Sequence, residues 1–282
     1  MAEVDRKHGH LSSHGWGTVS MTQPVLLTNL NNHVLTITLN RPDQRNAIDA
    51  ALRLALLAAL DGAVDEGARV VLIRANGPSF CAGADLGGSK PDPGVGTLRR
   101  MRVSTHRLIT ELLEHPLPVV AAVQGSCAGY GVSIALAADF CVAADDARFL
   151  PAFNKVGLAP DGGIALTLTR ALGVVAARRF LMLGEPISGG EAAAGEMIHA
   201  AVPAEDLDAA AAELAGRLSG GAVAAVSAAK SLIARATAGE LNALLVEERT
   251  VQAVLTTTPD HREGVEAVME RRAQSFGKPD VE

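Results

Sequence analysis

The sequence predicts an α/β layered domain followed by a helical C-terminal region. Short apolar runs alternate with segments of helical periodicity up to about Ala171, and glycine-rich turns follow two of the apolar runs. From Leu172 onward the chain is rich in Ala, Leu, Arg and Glu, a composition that favours helices. Strands that alternate with helices at this spacing are typical of α/β domains. With 282 residues, of which 48% are hydrophobic, the chain is long enough to bury a substantial core.

The charge balance and the cysteines exclude several kinds of ligand. The formal net charge is −6, so the chain lacks the basic footprint of a protein that binds nucleic acid or an anionic membrane. No apolar run approaches the roughly 18 to 20 residues that cross a membrane. Cys81, Cys127 and Cys141 show no C-x-x-C spacing, and no histidine pairs with them at metal-ligand intervals. We therefore expect a soluble cytoplasmic protein with reduced thiols, no metal site and locally formed ligand sites.

Residues 1–20 differ from the rest of the chain. They contain three of the eight histidines together with Gly and Ser, and they lack the apolar segment of a secretion signal. We expect a leader without regular structure, and the sequence of a folded domain begins at Met21. The sequence leaves open whether this leader is native or an extension.

The first elements of the domain are predicted to be a hairpin, a helix and a strand. Two β-rich runs flank the turn dipeptide Asn31-Asn32. Asp49 then precedes a leucine-rich segment as a helix N-cap, and Gly67 ends that segment. Residues 70–73 follow as a short buried strand.

A second set of elements repeats this alternation. The pattern predicts a helix over 98–113, a strand over 119–123, a helix over 132–138 and a strand over 140–143. The α/β pattern therefore continues through the first half of the chain.

The C-terminal region is predicted to be helical, with only residues 197–202 extended. Its amphipathic helices, such as 207–218 and 241–254, carry apolar stripes that must cover the first domain or another subunit. Homo-oligomerisation is therefore expected. The chain divides into a leader at 1–20, a core at 21–200 and a helical oligomerisation region at 201–282.

The two glycine-rich turns, at residues 80–86 and 125–131, are the strongest functional signals. Small residues let the backbone approach a ligand closely, and sharp bends leave N–H groups unpaired. Two such turns that face one another would supply a pair of donors for the negative oxygen of a thioester enolate. Taken singly, each turn is equally well explained by packing at a strand-to-helix junction.

Four motifs in register carry a family resemblance. They are Leu39-Asn40-Arg41-Pro42 with Asn46-Ala47-Ile48, residues 80–86, residues 123–131 with Asp139, and residues 157–163. From about residue 25 to residue 278 the chain resembles the crotonase, or enoyl-CoA hydratase/isomerase, family. The resemblance implies a spiral of ββα units followed by a helical trimerisation region, assembled as a trimer or a dimer of trimers. It also implies a coenzyme A thioester as substrate and no prosthetic group.

The resemblance further implies a set of site residues. The thioester oxygen would be held by the backbone N–H groups of Ala84 and Tyr130. Tyr130 stands where the family often has glycine, and we expect its phenol to reshape the pocket. Further residues would contact the acyl-CoA, the last two of them reaching a neighbouring subunit's coenzyme A: Arg45, Ala47, Ile48, Ala82, Asp85, Leu86, Gly129, Ser133, Phe153, Phe276 and Lys278.

The chemistry that the resemblance implies depends on one aspartate. Hydratases of the family use two glutamates, and Ser133 and Phe153 occupy those positions here, so hydration by that mechanism is not expected. Isomerase members carry a catalytic Glu or Asp at the position of Asp161, which makes Asp161 the candidate acid/base for a Δ3 to Δ2 double-bond shift. From the residues alone, Pro160-Asp161-Gly162 is more simply a turn in which Asp161 caps the helix that begins near Gly163.

Other functions fit these residues less well. Gly129-Tyr130-Gly131 resembles part of a dinucleotide-binding fingerprint, but Ile134 stands where that fingerprint needs Gly or Ala. Ser126 lacks the G-x-S-x-G context of a hydrolase, and His106 and His115 are predicted to be solvent-facing or loop residues. A hydratase with a non-standard site and an acyl-CoA binder without catalysis remain as alternatives.

Overall fold

The protein is described here by a computed structural model that covers residues 23–87 and 93–277. The predicted leader at 1–20 and Lys278 lie outside these described residues. Within them the chain forms two β-sheets with helices packed around them.

The larger sheet has six strands in the order β1-β2-β3-β5-β7-β10. β1 is antiparallel to β2, and the remaining neighbours are parallel. Its strands are β1 Leu26–Asn31, β2 Val34–Leu39, β3 Val70–Ala75, β5 Val119–Val123, β7 Phe140–Ala144 and β10 Ala200–Val202. β3 and β5 are almost wholly buried, as their continuous apolar sequences predict.

The smaller sheet has four short strands in the order β4-β6-β8-β9. They are β4 Ser79–Cys81, β6 Ser126–Ala128, β8 Arg148–Leu150 and β9 Ile187–Ser188. Each of β3, β5 and β7 is followed by a strand of this sheet and then by a helix. This repetition is the predicted spiral of ββα units, and it is confirmed.

Nine α-helices lie within the described residues. They are α1 Ala50–Gly62, α2 Val95–Arg100, α3 His106–Glu114, α4 Tyr130–Ala137, α5 Ile164–Arg178, α6 Gly189–Ala194, α7 Leu207–Gly220, α8 Val223–Leu255 and α9 Pro259–Glu270. A π-helical turn, Met101–Thr105, joins α2 to α3, so the helix predicted over 98–113 is present as one continuous helical segment. None of the helices in this part of the chain is both long and apolar enough to cross a membrane.

The local predictions hold with small shifts of boundary. Asp49 caps α1, because its carboxylate accepts the backbone N–H of Leu52 at 2.7 Å. The hairpin turn lies at Asn32 and His33 rather than at Asn31-Asn32, since Asn31 pairs with Val34 across the hairpin. α1 ends at Gly62, and a series of turns carries the chain on to Gly67.

His106 and His115 were predicted to be solvent-facing or loop residues. His115 does lie in the loop after α3, but the prediction is wrong for His106, which lies within α3. Both side chains are buried, His106 at 4% exposure and His115 at 2%. His115 Nε2 lies 3.1 Å from the carbonyl of Leu60, and Nδ1 accepts the N–H of Leu117. The polar side of α3 that suggested solvent is covered by α1 and α8.

The helical C-terminal region is built onto the first domain. α7 packs on the larger sheet. Strand β10 of that sheet, Ala200–Val202, crosses the predicted division between the core at 21–200 and the helical region at 201–282. On α8, Lys230 Nζ lies 2.8 Å from the carboxylate of Asp139 and donates to the carbonyls of Leu112 and Leu117. Burial lowers the pKa of Lys230, and the charge of Asp139 opposes that shift. α8 is thereby fixed to the core by a buried, fully bonded ammonium group.

Candidate active site

A buried amide braces the segment before α1 against the first glycine-rich turn. Asn46 is fully buried, and its Oδ1 accepts the backbone N–H of Arg41 at 2.8 Å. Its Nδ2 donates to the carbonyls of Asn76 and Ser79, both at 2.9 Å. These bonds explain the Asn-Arg-Pro…Asn motif physically, because they fix residues 45–48 beside the end of β4.

Residues 45–48 then pair with the first turn like a short parallel ladder. The N–H of Ile48 donates to the carbonyl of Gly83 at 2.8 Å, and the N–H of Asp85 donates to the carbonyl of Ile48 at 3.1 Å. Because both neighbours of Ala84 face Ile48, the N–H of Ala84 points to the opposite side. It makes no hydrogen bond within residues 23–87 and 93–277. Ala84 therefore offers a free backbone donor.

The second turn supplies another donor from a different segment. Gly129 adopts φ 50° and ψ −122°, and its N–H donates to the carbonyl of Leu150. Tyr130 is the first residue of α4, so its N–H has no acceptor within the helix. The helix dipole adds positive potential at this point. A negative oxygen would be stabilised there.

The two turns touch. A Cβ added to Gly83 would lie 2.9 Å from the carbonyl oxygen of Ala128 and 3.5 Å from the backbone nitrogen of Tyr130. A Cβ added to Gly131 would lie 2.8 Å from that of Cys81. Glycine is needed at both positions because no side chain fits between the turns. Sequence analysis predicted two facing turns, and the structure places them side by side.

Asp161 lies in the turn that precedes α5. The residue is half-buried, but its Oδ1 is buried and has no hydrogen-bond partner. Burial raises the pKa of Asp161 to about 8, and the negative charge of Glu248 adds to the shift. The N-cap residue of α5 is Gly163, which has no side chain, and Asp161 Oδ1 accepts no N–H, so the capping role that the sequence allowed for Asp161 is not formed.

The residues around Asp161 connect it to the second turn. Ser133 Oγ donates to the backbone carbonyl of Asp161 at 2.7 Å, and a Cβ added to Gly162 would lie 2.8 Å from that of Ser133. The side chain of Tyr130 is buried, and burial raises its pKa with a further contribution from the charge of Asp161. Phe153 is 5% exposed, and its ring lies beside Gly129. Apolar surface, a carboxyl group and two N–H donors therefore share one region.

Glu248 is the residue of this region that sequence reasoning missed. It is 5% exposed on α8, and its carboxylate accepts the N–H of Gly163 at 3.0 Å. Its Oε2 also lies 3.3 Å from Nε2 of buried His106, although the pair is not aligned for a hydrogen bond. Its position in the sequence could have indicated burial, because Glu248 follows Leu245 by three residues within the apolar stripe of the helix.

The remaining predicted ligand residues are spread around the first turn and the C-terminus. Arg45 is exposed, and its carbonyl accepts the N–H of Ala82. Asp85 is held by an ion pair of 3.0 Å with Arg41, whose guanidinium also donates to the carbonyl of Ala47. Leu86 is half-buried, and Phe276 is 42% exposed. Contacts of these residues and of Lys278 with coenzyme A remain predictions.

The chain matches known proteins over most of its length. Residues 29–279 match the enoyl-CoA hydratase/isomerase family. A probable enoyl-CoA hydratase of Rhodobacter capsulatus is 37% identical over 88% of this chain and 95% of its own. A trans-2-decenoyl-[acyl-carrier-protein] isomerase of Streptococcus mutans is 34% identical over 89% of this chain and 97% of its own.

A solved structure extends the likeness to the whole fold. The crystal structure of an enoyl-CoA hydratase from Mycobacterium avium subsp. paratuberculosis superposes with a TM-score of 0.81 at 34% identity, covering 90% of this chain and 99% of that one. The chain belongs to the enoyl-CoA hydratase/isomerase family, and it is an enzyme of that family, which acts on coenzyme A thioesters without a prosthetic group.

Proposed function

We propose that this enzyme moves the double bond of an enoyl-CoA from the Δ3 to the Δ2 position. Asp161 removes a proton from C2, and the electron pair of that C–H bond passes into the thioester to form a dienolate. The N–H groups of Ala84 and Tyr130 hold the negative oxygen. Asp161 then returns the proton to C4, which leaves the double bond between C2 and C3.

The observation that carries this proposal is the state of the Asp161 carboxyl group. Its buried oxygen has no hydrogen-bond donor, unlike an aspartate that serves as a structural cap. A pKa of about 8 makes it a stronger base, once ionised, than an exposed aspartate. The adjacent Tyr130 supplies an N–H donor from the start of α4. One acid/base group and one oxyanion site suffice for a proton shift.

Hydration is the second candidate, since the Rhodobacter relative is named a probable hydratase. That reaction needs groups that position and activate water. Ser133 is 1% exposed and already donates its hydroxyl to the carbonyl of Asp161, while Phe153 has no acid/base group. Glu248 has its carboxylate engaged by Gly163 and beside His106. Isomerisation needs only one acid/base group, which Asp161 can supply, so the residues present suit it better than hydration.

The proposal includes a trimer or a dimer of trimers. Large apolar side chains are exposed on the C-terminal half: Val175 at 74%, Met182 at 70%, Leu183 at 68%, Leu232 at 69% and Ile233 at 69%. Met182 and Leu183 are consecutive, as are Leu232 and Ile233, and exposed apolar surface of this kind favours association. Light scattering coupled to size-exclusion chromatography would give the number of subunits.

The test of the reaction is turnover of trans-3-hexenoyl-CoA, followed by chromatography. We expect wild-type enzyme to form trans-2-hexenoyl-CoA, and Asp161→Asn to lower kcat by about 10² to 10⁴-fold with affinity for hexanoyl-CoA within a few fold. Asp146→Asn, at an exposed aspartate, is the matched control.

Three results would contradict the proposal. An unchanged rate in Asp161→Asn would exclude Asp161 as the base. Conversion of trans-2-hexenoyl-CoA to 3-hydroxyhexanoyl-CoA without any isomerisation would favour hydration. Binding of hexanoyl-CoA without turnover of either enoyl substrate would favour an inactive binder.

A further inference from the structure

The turn that carries Asp161 is held at both ends by α8. Gln252 Nε2 donates to the carbonyl of Ala159 at 2.7 Å, and Glu248 accepts the N–H of Gly163 at 3.0 Å. Glu248 and Gln252 are four residues apart, so they lie on one face of the helix. Both are buried, at 5% and 2% exposure. Two long polar side chains of one helix therefore span the turn from end to end.

A third bond fixes the middle of this turn. Ser133 of α4 donates to the carbonyl of Asp161 itself, two residues from either end. The backbone of the turn is thus bonded at its start, centre and end. The Oδ1 atom of Asp161 has no partner among the described residues. A fixed backbone below a free carboxyl group is the arrangement expected where a side chain must be aimed at a reacting atom.

The two buried carboxylates differ in how well their charge is compensated. Glu248 receives the N–H of Gly163 at the N-terminus of α5, which is kinked at Gly173, and the ring of His106 lies 3.3 Å away. Asp161 has no comparable donors at Oδ1. The charge of Glu248 therefore has compensating groups close by, and it opposes a second negative charge on Asp161.

We propose that Glu248 and Gln252 are positioning residues for Asp161, and that Glu248 acts both through its bond to the turn and through its negative charge. This inference rests on the proposed role of Asp161 in proton transfer. It gives α8 a part in the chemistry, because the helix that fixes the C-terminal region to the core also holds the turn that presents the acid/base group.

The ionisable groups around the pair come from four elements. Asp161 faces Glu248 of α8 and Tyr130 of α4, and Arg53 of α1 lies close enough to Tyr130 to act on it. Glu248 faces His106 of α3, which opens onto a cleft of about 580 Å³ between α3 and α8. The charged residues that line this cleft are Arg102, Arg107, Glu111, Glu114 and Arg249.

The experiment compares two variants by the pH profile of kcat/KM for trans-3-hexenoyl-CoA. Glu248→Gln keeps the shape and the acceptor for Gly163 but removes the charge, so we expect the acidic limb of the profile to move to lower pH by about one unit. Gln252→Leu keeps the charge but loses the bond to Ala159, so we expect the limb to stay in place while kcat falls about tenfold. Glu247→Gln, an exposed neighbour on the same helix, should leave both quantities unchanged.

The possible results test the role of the Glu248 charge and the role of the Gln252 bond separately. Acidic limbs that coincide for wild type and Glu248→Gln would overturn the role of the charge. An unchanged kcat in Gln252→Leu, at a wild-type melting temperature, would overturn positioning. If Glu248→Gln does not fold, the wild-type protein decides instead by carboxyl ¹³C NMR. Two carboxyl groups that interact must each respond to the ionisation of the other, so independent single-step titrations of Asp161 and Glu248 would overturn the role of the charge. Full activity in Asp161→Asn is a different result, since it would refute the proposed function itself.

Discussion

The hydroxyl group of Tyr130 donates a hydrogen bond of 2.6 Å to the backbone carbonyl of Thr105. The side chain is 3% exposed, and Thr105 belongs to the π-helical turn between α2 and α3. The phenol therefore ties the start of α4 to the neighbouring helical segment. Its role at this position is tertiary packing beside the oxyanion site, while the backbone N–H of the same residue is the donor that a substrate would use.

Removal of this hydroxyl group tests that structural role. We expect Tyr130→Phe to lower the free energy of unfolding by about 1 to 2 kcal/mol, because the carbonyl of Thr105 loses a buried donor. Urea denaturation, with wild type as reference, measures the change. An unaltered midpoint would show that the bond contributes nothing to stability.

The backbone donor of Tyr130 can be tested separately. Proline is tolerated at the first position of a helix and has no N–H, so Tyr130→Pro removes the donor while the helix can still form. Tyr130→Ala loses the same side chain and retains the N–H. We expect kcat for trans-3-hexenoyl-CoA to be about 10² to 10³-fold lower in the proline variant than in the alanine variant.

Equal rates in these two variants, at similar melting temperatures, would exclude the N–H of Tyr130 as an oxyanion donor. The comparison removes the contribution of the phenol, because neither variant carries it.

Much of this arrangement could be predicted from local sequence. The facing turns follow from glycines at the ends of buried strands, and Asp49 follows from its position before an apolar helix. These features depend on neighbours along the chain. The register of the family motifs then predicts that the N–H groups of Ala84 and Tyr130 would form the oxyanion site.

The residues that sequence reasoning misplaced depend on contacts between distant segments. His106 and Glu248 are 142 positions apart, and nothing near His106 in sequence indicates that α8 covers it. A polar residue within an apolar helix stripe suggests burial, but it does not identify the partner. The raised pKa of Asp161 depends on that same long-range packing, so sequence alone could not predict it.

The pH dependence of the reaction follows from the state of Asp161. A base with a pKa of about 8 is mostly protonated at pH 6, so we expect kcat/KM to rise about tenfold per pH unit up to 8 and to level off above it. Rates between pH 5.5 and 9.5, with circular dichroism to confirm folding at each pH, provide the measurement. A flat profile between pH 6 and 8 would contradict it.

The same shift predicts a gain in stability when Asp161 is replaced. Its pKa is raised on folding, so its contribution to stability is fully present below about pH 4 and is lost as the pH rises toward 8. In that interval the unfolded chain gives up the proton while the folded protein retains it. Asp161→Asn removes this titration, and relative to wild type the variant should gain roughly 1 to 3 kcal/mol between pH 5 and pH 8.5.

Urea denaturation of both proteins at the two pH values measures this difference, with exposed Asp146→Asn as control. A stability difference that stays constant with pH would show that Asp161 titrates alike in the folded and unfolded states.

The contact between the two turns can be tested at Gly83. This residue has a positive φ, and a side chain there would clash with the second turn. Its φ is +94°, and an added Cβ would lie 2.9 Å from the carbonyl oxygen of Ala128. Gly67 has a similar φ of +86° with nothing within 4 Å of an added Cβ. Gly67→Ala therefore carries the same backbone strain without the clash.

We expect Gly83→Ala to lower kcat for trans-3-hexenoyl-CoA by at least about tenfold, because the turns must separate and the two N–H groups move apart. Gly67→Ala should lose about 1 kcal/mol of stability through backbone strain and keep wild-type kcat. Wild-type activity in Gly83→Ala would mean that the spacing of the turns does not set the oxyanion site. Equal losses of kcat in both variants would attribute the effect to backbone strain in general.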